Sequence, residues 1–434
     1  MDFHRTVLEA DPSRRGIVMQ ILTAALAAVD PAAAVRANLT RAALGVEVGG
    51  NLFAVDSVAV VALGKAAMAM ARAACEALSG LPARGIVVSQ AHPAQDPIEG
   101  LAIHHASHPL PDERSLAAAE ATIELVTNTA RDELVLFLIS GGGSALIEKP
   151  ADGLSLEDLR STIDTMLRGG VPIGEMNAVR THLSAIKGGR LAAASGSPHL
   201  ATLLVSDVSS HPPEVVASGP SLGDPTTFAD ALAVLVEHRL ADSVPRSAVA
   251  HLEAGAQGDR EETPAKVGDQ VTKIVADGAT AAEAAGRTAA DLGLDVSIAS
   301  TTLHGEARTE AVNAVKSTPK GRLTVLAGET TVHVTGSGVG GRNQEAALAA
   351  AMEIAGSAEI LFASLGTDGV DGPTDAAGAV VDGLTLERGE LEGLSAVEHL
   401  EANDSHTYLA ATGDLIRTGP TGTNVGDVWL VWRQ

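Results

Sequence analysis

The sequence predicts an α/β protein of two domains, the first a Rossmann-like domain on a parallel sheet. Two observations carry this reading. From about residue 58 onward, short β-branched apolar runs alternate with Ala-rich helical stretches, the pattern of β-α-β units whose sheet is covered on both faces. Between about residues 239 and 270 that alternation lapses into a polar stretch with Gly255, Gly258, Asp259 and the run Arg260-Glu-Glu-Thr-Pro264, which reads as a linker or boundary. With 434 residues the chain is long enough for two or three domains, and we divide it into residues 1–245 and 246–434.

Taken in order, residues 11–44 are Ala-rich and helical in pattern. Val58-Ala-Val-Val-Ala-Leu63 is a buried strand followed by a helix from near Lys65, and Gly85-Ile-Val-Val88 is the next strand. The acidic Pro111-Asp112-Glu113 opens a helix over 115–129. Strands follow at 134–139, ending at Ser140-Gly-Gly-Gly143, and at 201–205, ending at Ser206-Asp207. Past the polar stretch come a strand at 273–276, a helix at 279–292 and strands at 295–300, 323–327, 331–335, 360–364 and 428–432.

Composition excludes several functions. A hydrophobic content of 45% with 19% charged residues excludes global disorder. The formal charge of −24 leaves no basic stripe to replace phosphate counterions, which argues against nucleic acid. Any anion site must then be a local exception built from Lys, Arg and backbone N–H groups. Aromatics at 2% make a base-stacking platform implausible. Cys75 is the single cysteine, so no intramolecular disulfide forms. The N-terminus lacks an apolar signal core and no stretch approaches the roughly 20 apolar residues of a membrane span. The expected location is the cytoplasm, with no membrane partner.

The loops after strands carry the chemistry, because they form the ligand edge of an open α/β sheet. Ser140-Gly-Gly-Gly-Ser-Ala145 brings bare backbone to a helix start, which suits a phosphate or carboxylate and equally a tight turn without ligand. Lys65, between Gly64 and small apolar residues, is either a solvated charge or a partly buried ammonium aimed at an anion. Gly336-Ser-Gly-Val-Gly-Gly341 matches a dinucleotide-type G-x-G-x-x-G, yet no strand-end acid follows about 20 residues on. Arg342 behind it is a fork-shaped cation for phosphate or carboxylate, or a structural helix-start ion pair. Asp368, Asp371 and Asp375 crowd among glycines, as a magnesium site or a set of Asx turns would have them, and Asp207 is a further strand-end carboxylate. His92, His104, His105 and His108 lack zinc-like spacing.

Nine pieces in order resemble the two-domain glycerate kinases that form 2-phosphoglycerate and end in a MOFRL-type domain. They are Ala62-Leu-Gly-Lys-Ala66, His108-Pro-Leu-Pro-Asp112, Ile139-Ser-Gly-Gly-Gly-Ser-Ala145, Met176-Asn-Ala-Val-Arg180 leading to Lys187-Gly-Gly-Arg190-Leu191, and Ser206-Asp-Val208. Ala217-Ser-Gly-Pro220, Gly340-Gly-Arg-Asn-Gln-Glu345, Gly366-Thr-Asp-Gly-Val-Asp-Gly-Pro-Thr-Asp-Ala376 and Thr418-Gly-Pro-Thr-Gly-Thr-Asn424 complete them. The resemblance runs from about Arg36 to the C-terminus, with the MOFRL region at about 322–430 of an α/β second domain. It implies an active site in the interdomain cleft and Mg-assisted transfer from ATP to D-glycerate. Lys65 and Arg342 match positions holding the substrate carboxylate or moving phosphoryl, and Asp368 matches a catalytic or magnesium-linked carboxylate. Ser140, Gly141, Gly142, Gly143, Ser144, Asp207, Gly341, Asn343 and Thr367 match the substrate or nucleotide lining, with Asp368 and Asp207 as the Mg2+ ligands. Two departures stand out. Ser209-Ser-His211 occupies a stretch where the family usually has an acid, and Ala276-Asp-Gly-Ala279 one where it often has Asn. The expected partners are glycerate and ATP, with a homodimer common for such folds. The rivals are an NAD(P)H-dependent hydroxypyruvate reductase, suggested by residues 336–341 and by older naming, and a non-enzymatic binding protein.

Overall fold

Every residue from Val58 to Leu63 is apolar and buried, as a strand covered on both faces must be. The computed structural model, which describes residues 14–90, 97–208 and 212–434, places this strand inside a six-stranded sheet. By packing, the described residues fall into two bodies, 31–206 with 212–275, and 14–30 and 207–208 with 276–434.

The first body's sheet runs Leu101–Ala106, Ala83–Gln90, Ser57–Leu63, Glu133–Ser140, Leu200–Val205, Val271–Ala276. The pairings among the first five strands are all parallel. Chain order moves outward in opposite directions from Ser57–Leu63, so the order reverses between that strand and Glu133–Ser140. A crevice opens at the carboxyl ends of two strands related in this way, and those ends carry Lys65 and the 140–144 loop.

Beside this sheet, an antiparallel meander of Leu39–Ala42, Gly45–Val48 and Asn51–Phe53 occupies a stretch whose beginning reads as helical in the sequence. The helices Leu156–Arg168, Ile173–His182, Phe228–Glu237 and Arg246–Ala256 share a separate apolar cluster around Leu159, Met166, Phe228 and Leu252. The last of these helices lies within the stretch read as linker. It buries Ala248, His251, Leu252 and Gly255 at helical spacing. The 245/246 division read from the sequence therefore cuts between helices that packing keeps together.

The second body holds a mixed sheet in the order Asp295–Leu303, Arg322–Gly328, Asp427–Arg433, Ile360–Gly366, Gly378–Asp382, Leu415–Ile416. Asp427–Arg433 runs antiparallel to both of its neighbours, and the register sets Gly328 and Gly366 on either side of Asp427. Three loops thus leave from one edge. The helix Arg342–Glu353 is buried from Asn343 through Ala351, over a core that contains Phe362, Tyr408 and Trp429. The N-terminal helix Arg14–Ala28 joins this body, where Arg15 pairs with Asp382 at 2.7 Å and with the wholly buried Asp414 at 2.6 Å.

The strand expected at 331–335 does not join the sheet; Thr331 makes one isolated bridge, with Glu306 outside the sheet. Asn403 instead accepts hydrogen bonds from the N–H groups of Thr335 and Gly336, each at 2.8 Å. The glycines of the dinucleotide-like run have a packing cause. A Cβ on Gly336 would sit 2.1 Å from the Ala402 carbonyl oxygen, one on Gly338 2.4 Å from the Asp404 Cβ, and one on Gly340 2.4 Å from the Ser405 Oγ. They admit the 402–405 backbone. No single helix among the described residues is long and apolar enough to cross a membrane.

Two outcomes follow for the helical cluster. Gly255 lies mid-helix, where alanine ordinarily stabilises by up to about 1 kcal/mol. A Cβ there would fall 2.1 Å from the Phe228 ring. Gly255→Ala is therefore expected to destabilise by about 1–3 kcal/mol, read as a lowered urea midpoint; an unchanged or raised midpoint would refute the contact. His251 is buried, donates from Nε2 to the His182 carbonyl at 3.0 Å, and has no partner for Nδ1 among the described residues. Burial, then Arg260, lowers its pKa from 6.5 to about 4. Between those values the unfolded chain takes the proton and the folded chain does not. The stability His251 contributes at neutral pH is thus lost as pH falls through that window. His251→Gln should flatten the fall in urea midpoint between pH 7 and pH 4.5, and an equal slope in the two proteins would sink this assignment.

Candidate functional site

In the first body the site begins at the crevice. Gly64 has φ +111, and a Cβ on it would lie 2.3 Å from the Ser140 carbonyl oxygen, so only glycine lets the two strand ends close. Ser140 is fully buried; its Oγ accepts from the Ala66 N–H at 2.9 Å and donates to the Leu63 carbonyl. The Lys65 N–H donates to the Gly141 carbonyl at 2.9 Å. The lysine backbone is therefore pinned to the glycine turn. Gly142, at φ +83, lies under two side chains: a Cβ there would be 3.2 Å from the Lys65 Cγ and 3.6 Å from the His108 Nε2. The helix after this turn is only Gly143–Leu146, too short to draw an anion by its dipole. Side-chain charge must do that here.

That charge is arranged around Ser144. Its Oγ bonds the Ser218 Oγ at 3.0 Å, and Ser218 in turn reaches Asn177 at 3.4 Å. Ala217 and Ser218 hold φ of 53° and 58°, a left-handed pair costing about 1–2 kcal/mol per residue. The Ser144 carbonyl accepts from the Lys187 Nζ at 2.9 Å. Lys187 is itself wholly buried and ion-paired with the equally buried Glu148, which also accepts from the Ser184 Oγ at 2.6 Å. Burial, offset in part by Glu148, brings the Lys187 pKa down to about 8. His108 is held below its ordinary value by burial and then by the charges of Lys65 and Arg180, so the imidazole is neutral at pH 7.

In the second body the site is built on the edge shared by Gly328, Asp427 and Gly366. Asp427 has no exposure. Arg342 grips it with Nε at 2.7 Å and Nη2 at 3.0 Å, and sends Nη1 to Glu329 at 2.6 Å. Burial alone would lower the Arg342 pKa; Asp427 and Glu329 hold it well above its ordinary value. Asn343 is buried, with Nδ2 on Asp427 at 2.8 Å and Oδ1 on the Trp429 indole at 3.0 Å. Its amide is a joint of the fold. Thr367 is another, buried, donating to the Gly426 carbonyl at 2.6 Å and accepting from the Val425 N–H.

The three clustered carboxylates go separate ways. Asp371 caps the Arg342 helix through the Asn343 and Gln344 N–H groups at 3.1 and 2.9 Å, and a Cβ on Gly341 would strike it. Burial raises the Asp371 pKa despite those bonds. Asp375 bonds His406 and Arg417 at the surface. Asp368 is half-buried; its Oδ1 accepts from the Val370 N–H at 3.1 Å, in an Asx turn. Asp207 accepts from Asn424 at 3.3 Å. Among the described residues no group of three or more His, Cys, Asp or Glu side chains is placed to hold a metal. His92 and Ser209-Ser-His211 lie outside the described residues.

Lys65 and residues 140–144 therefore belong to the first body, and Asp207, Gly341, Arg342, Asn343, Thr367 and Asp368 to the second. The sequence reading assigned no role to Glu148, Arg180, Lys187, Glu329 or Asp427, and named His108 only within a motif and a histidine group without zinc spacing. Three of these, His108, Arg180 and Lys187, stand inside motifs quoted above, which was the available signal.

A family model described as a domain of unknown function, DUF4147, matches residues 17–253, and the MOFRL family model matches 322–427. The D-glycerate 2-kinase of Thermotoga maritima is 37% identical over 96% of this chain and 98% of its own length. The glycerate 2-kinase of Pyrococcus horikoshii is 38% identical over 95% and 96%. The crystal structure of the Thermotoga maritima glycerate kinase aligns with TM-score 0.84 at 34% identity, covering 96% of this chain and 99% of that one. With its DUF4147 region followed by a MOFRL region, the chain belongs to the glycerate 2-kinase family.

Proposed function

We propose that this protein transfers the terminal phosphoryl group of ATP to the 2-hydroxyl of D-glycerate, giving 2-phosphoglycerate and ADP, and that it does so in the cytoplasm. The observation that carries the reading is full-length similarity to D-glycerate 2-kinase in a chain that pins a lysine to a glycine turn at its sheet's switch point. Phosphoryl transfer asks a protein mainly to position the reactants and to offset charge on the moving group. The Lys65 side chain passes over Gly142, and its ammonium is the cation we assign to the moving phosphoryl or the substrate carboxylate. Arg342 has five N–H donors; Asp427 and Glu329 take one each from Nε, Nη1 and Nη2, which fixes the fork and leaves two donors for anionic oxygens. Asp368 is the group we assign to accept the hydroxyl proton as the new O–P bond forms and the bond to ADP breaks.

Magnesium suits this donor set. It is commonly held by one or two carboxylates, with water and phosphate oxygens completing the shell, and Asp207 and Asp368 approach a common turn: the Thr367 N–H bonds the Gly426 carbonyl at 2.9 Å, and Asp207 bonds Asn424. Those two residues would hold the ion, which when bound neutralises phosphate charge.

The decisive test is ADP release dependent on D-glycerate and magnesium, with phosphorus NMR separating 2- from 3-phosphoglycerate. Oxidation of NADH by hydroxypyruvate without such ADP release would overturn the proposal in favour of the reductase. Lys65→Ala and Arg342→Ala should each lower turnover by about a hundredfold or more. Because Arg342 also neutralises buried Asp427, its variant should melt earlier as well, whereas Lys65→Ala should not; near-normal turnover in both variants would remove the assigned roles.

A further inference from the structure

We propose that Glu329 is a specificity-determining residue of the second body, a displaceable counter-charge that an anion must move off Arg342 before it can take the Nη1 edge of the guanidinium. The inference rests on the reading of Arg342 as the residue that meets the substrate carboxylate or the moving phosphoryl. Its physical basis is that the two carboxylates on Arg342 are held very differently. Asp427 has no exposure and takes both Nε and Nη2, at 2.7 and 3.0 Å. Withdrawing it would strand a buried charge. Glu329 takes Nη1 alone, at 2.6 Å, from a side chain that is 48% exposed. Water can receive that carboxylate when it turns outward, and exposed ion pairs of this kind add little to stability.

Strand register explains why both acids reach one guanidinium. Gly328 pairs with Asp427 across the antiparallel strands, so Glu329 is the first residue beyond that pair. Its N–H donates to the Leu303 carbonyl at 2.8 Å, which fixes the backbone and leaves the side chain as the part that has to move. Charge sets the order of events. Arg342, Asp427 and Glu329 together carry one negative charge, so an anion approaching the three is repelled by their sum. With Glu329 turned away, Arg342 and Asp427 are neutral as a pair, and the fork is still fixed at two points by Asp427. The two donors left open beside Glu329 become three. A ligand that brings two or more anionic oxygens replaces the lost contact and gains others. An anion offering a single weak contact does not, and a half-exposed carboxylate thereby discriminates among ligands by opposing the wrong ones.

The test compares wild type, Glu329→Gln, Glu329→Ala and Arg342→Lys by calorimetric titration with two separate probes, inorganic phosphate and D-glycerate, each with and without magnesium. We expect both Glu329 variants to bind at least one probe roughly three- to tenfold more tightly than wild type. Loss of a merely structural contact would not raise an affinity. The probe that gains tells whether Arg342 meets a phosphate or the substrate carboxylate. Gains below twofold for both probes would overturn the inference, as would a protein that binds neither probe in any form. Weaker binding by the Glu329 variants in magnesium would overturn it too, since Glu329 would then be serving the ion. Arg342→Lys separates the two readings. If it binds both probes as wild type does, the role assigned to Arg342 fails; if it binds them less well while the Glu329 variants match wild type, the present inference alone fails. Turnover of D-glycerate by wild type is scored apart, because it bears on the kinase reading and leaves the competition at Arg342 as measured.

Discussion

Asp427 is a carboxylate with no exposure at the first residue of the last strand, and the edge of the second body is organised to make that charge tolerable. A buried anion without a counter-charge costs several kcal/mol, so the Arg342 fork and the Asn343 amide must both arrive at its two oxygens. Meeting that demand fixes where the helix Arg342–Glu353 starts. It also fixes the Trp429 indole, which donates to the other end of the same amide, and it turns the guanidinium toward the loop edge. Asp371 completes the arrangement by capping the helix from across the edge, with Gly341 kept bare to admit it.

The first body solves a related problem with a different geometry. Here the buried pair is Glu148 and Lys187, and what it holds is the carbonyl of Ser144. Removing either partner would strand a charge in the interior, at a cost of about 3–5 kcal/mol, so the glycine loop is held through a group that the fold cannot easily give up. Rigidity of this kind is useful beneath a turn made of three glycines. Left alone, such a turn would have the most conformational freedom of any segment in the chain.

How much of this was legible in the sequence follows from range. Strands such as Ser57–Leu63 and Glu133–Ser140 are unbroken apolar runs, so their burial shows in a few neighbouring letters. The 39–53 meander has short strands with exposed alternate residues and gives no such signal. The helix Arg246–Ala256 hid because two of its buried positions are His251 and Gly255, residue types that read as polar or as breakers. Lys65 and the 140–144 loop could be placed from local letters because the switch point puts function at strand ends. The choice left open for Arg342 could not be closed that way, since Asp427 is 85 residues distant. The G-x-G-x-x-G match shows the converse hazard. Gly336 and Gly338 answer to residues 402–404 and Gly341 to Asp371, constraints that leave the same letters as a phosphate loop.

Net charge supplies the remaining step. A chain with 54 acidic and 30 basic residues repels small anions at long range, so an anion must be drawn by fields that act only over a few ångströms. Such fields need cations held in place and partly shielded from water, because a free surface lysine would be screened by salt and by neighbouring carboxylates. The second body meets this requirement by spending two carboxylates, Asp427 and Glu329, to orient Arg342; in the first, Glu148 holds the buried Lys187 that fixes the Ser144 carbonyl of the glycine loop. The carboxylates that look like a poor choice for an enzyme of anionic substrates are, around Arg342, what allows positive charge to be aimed.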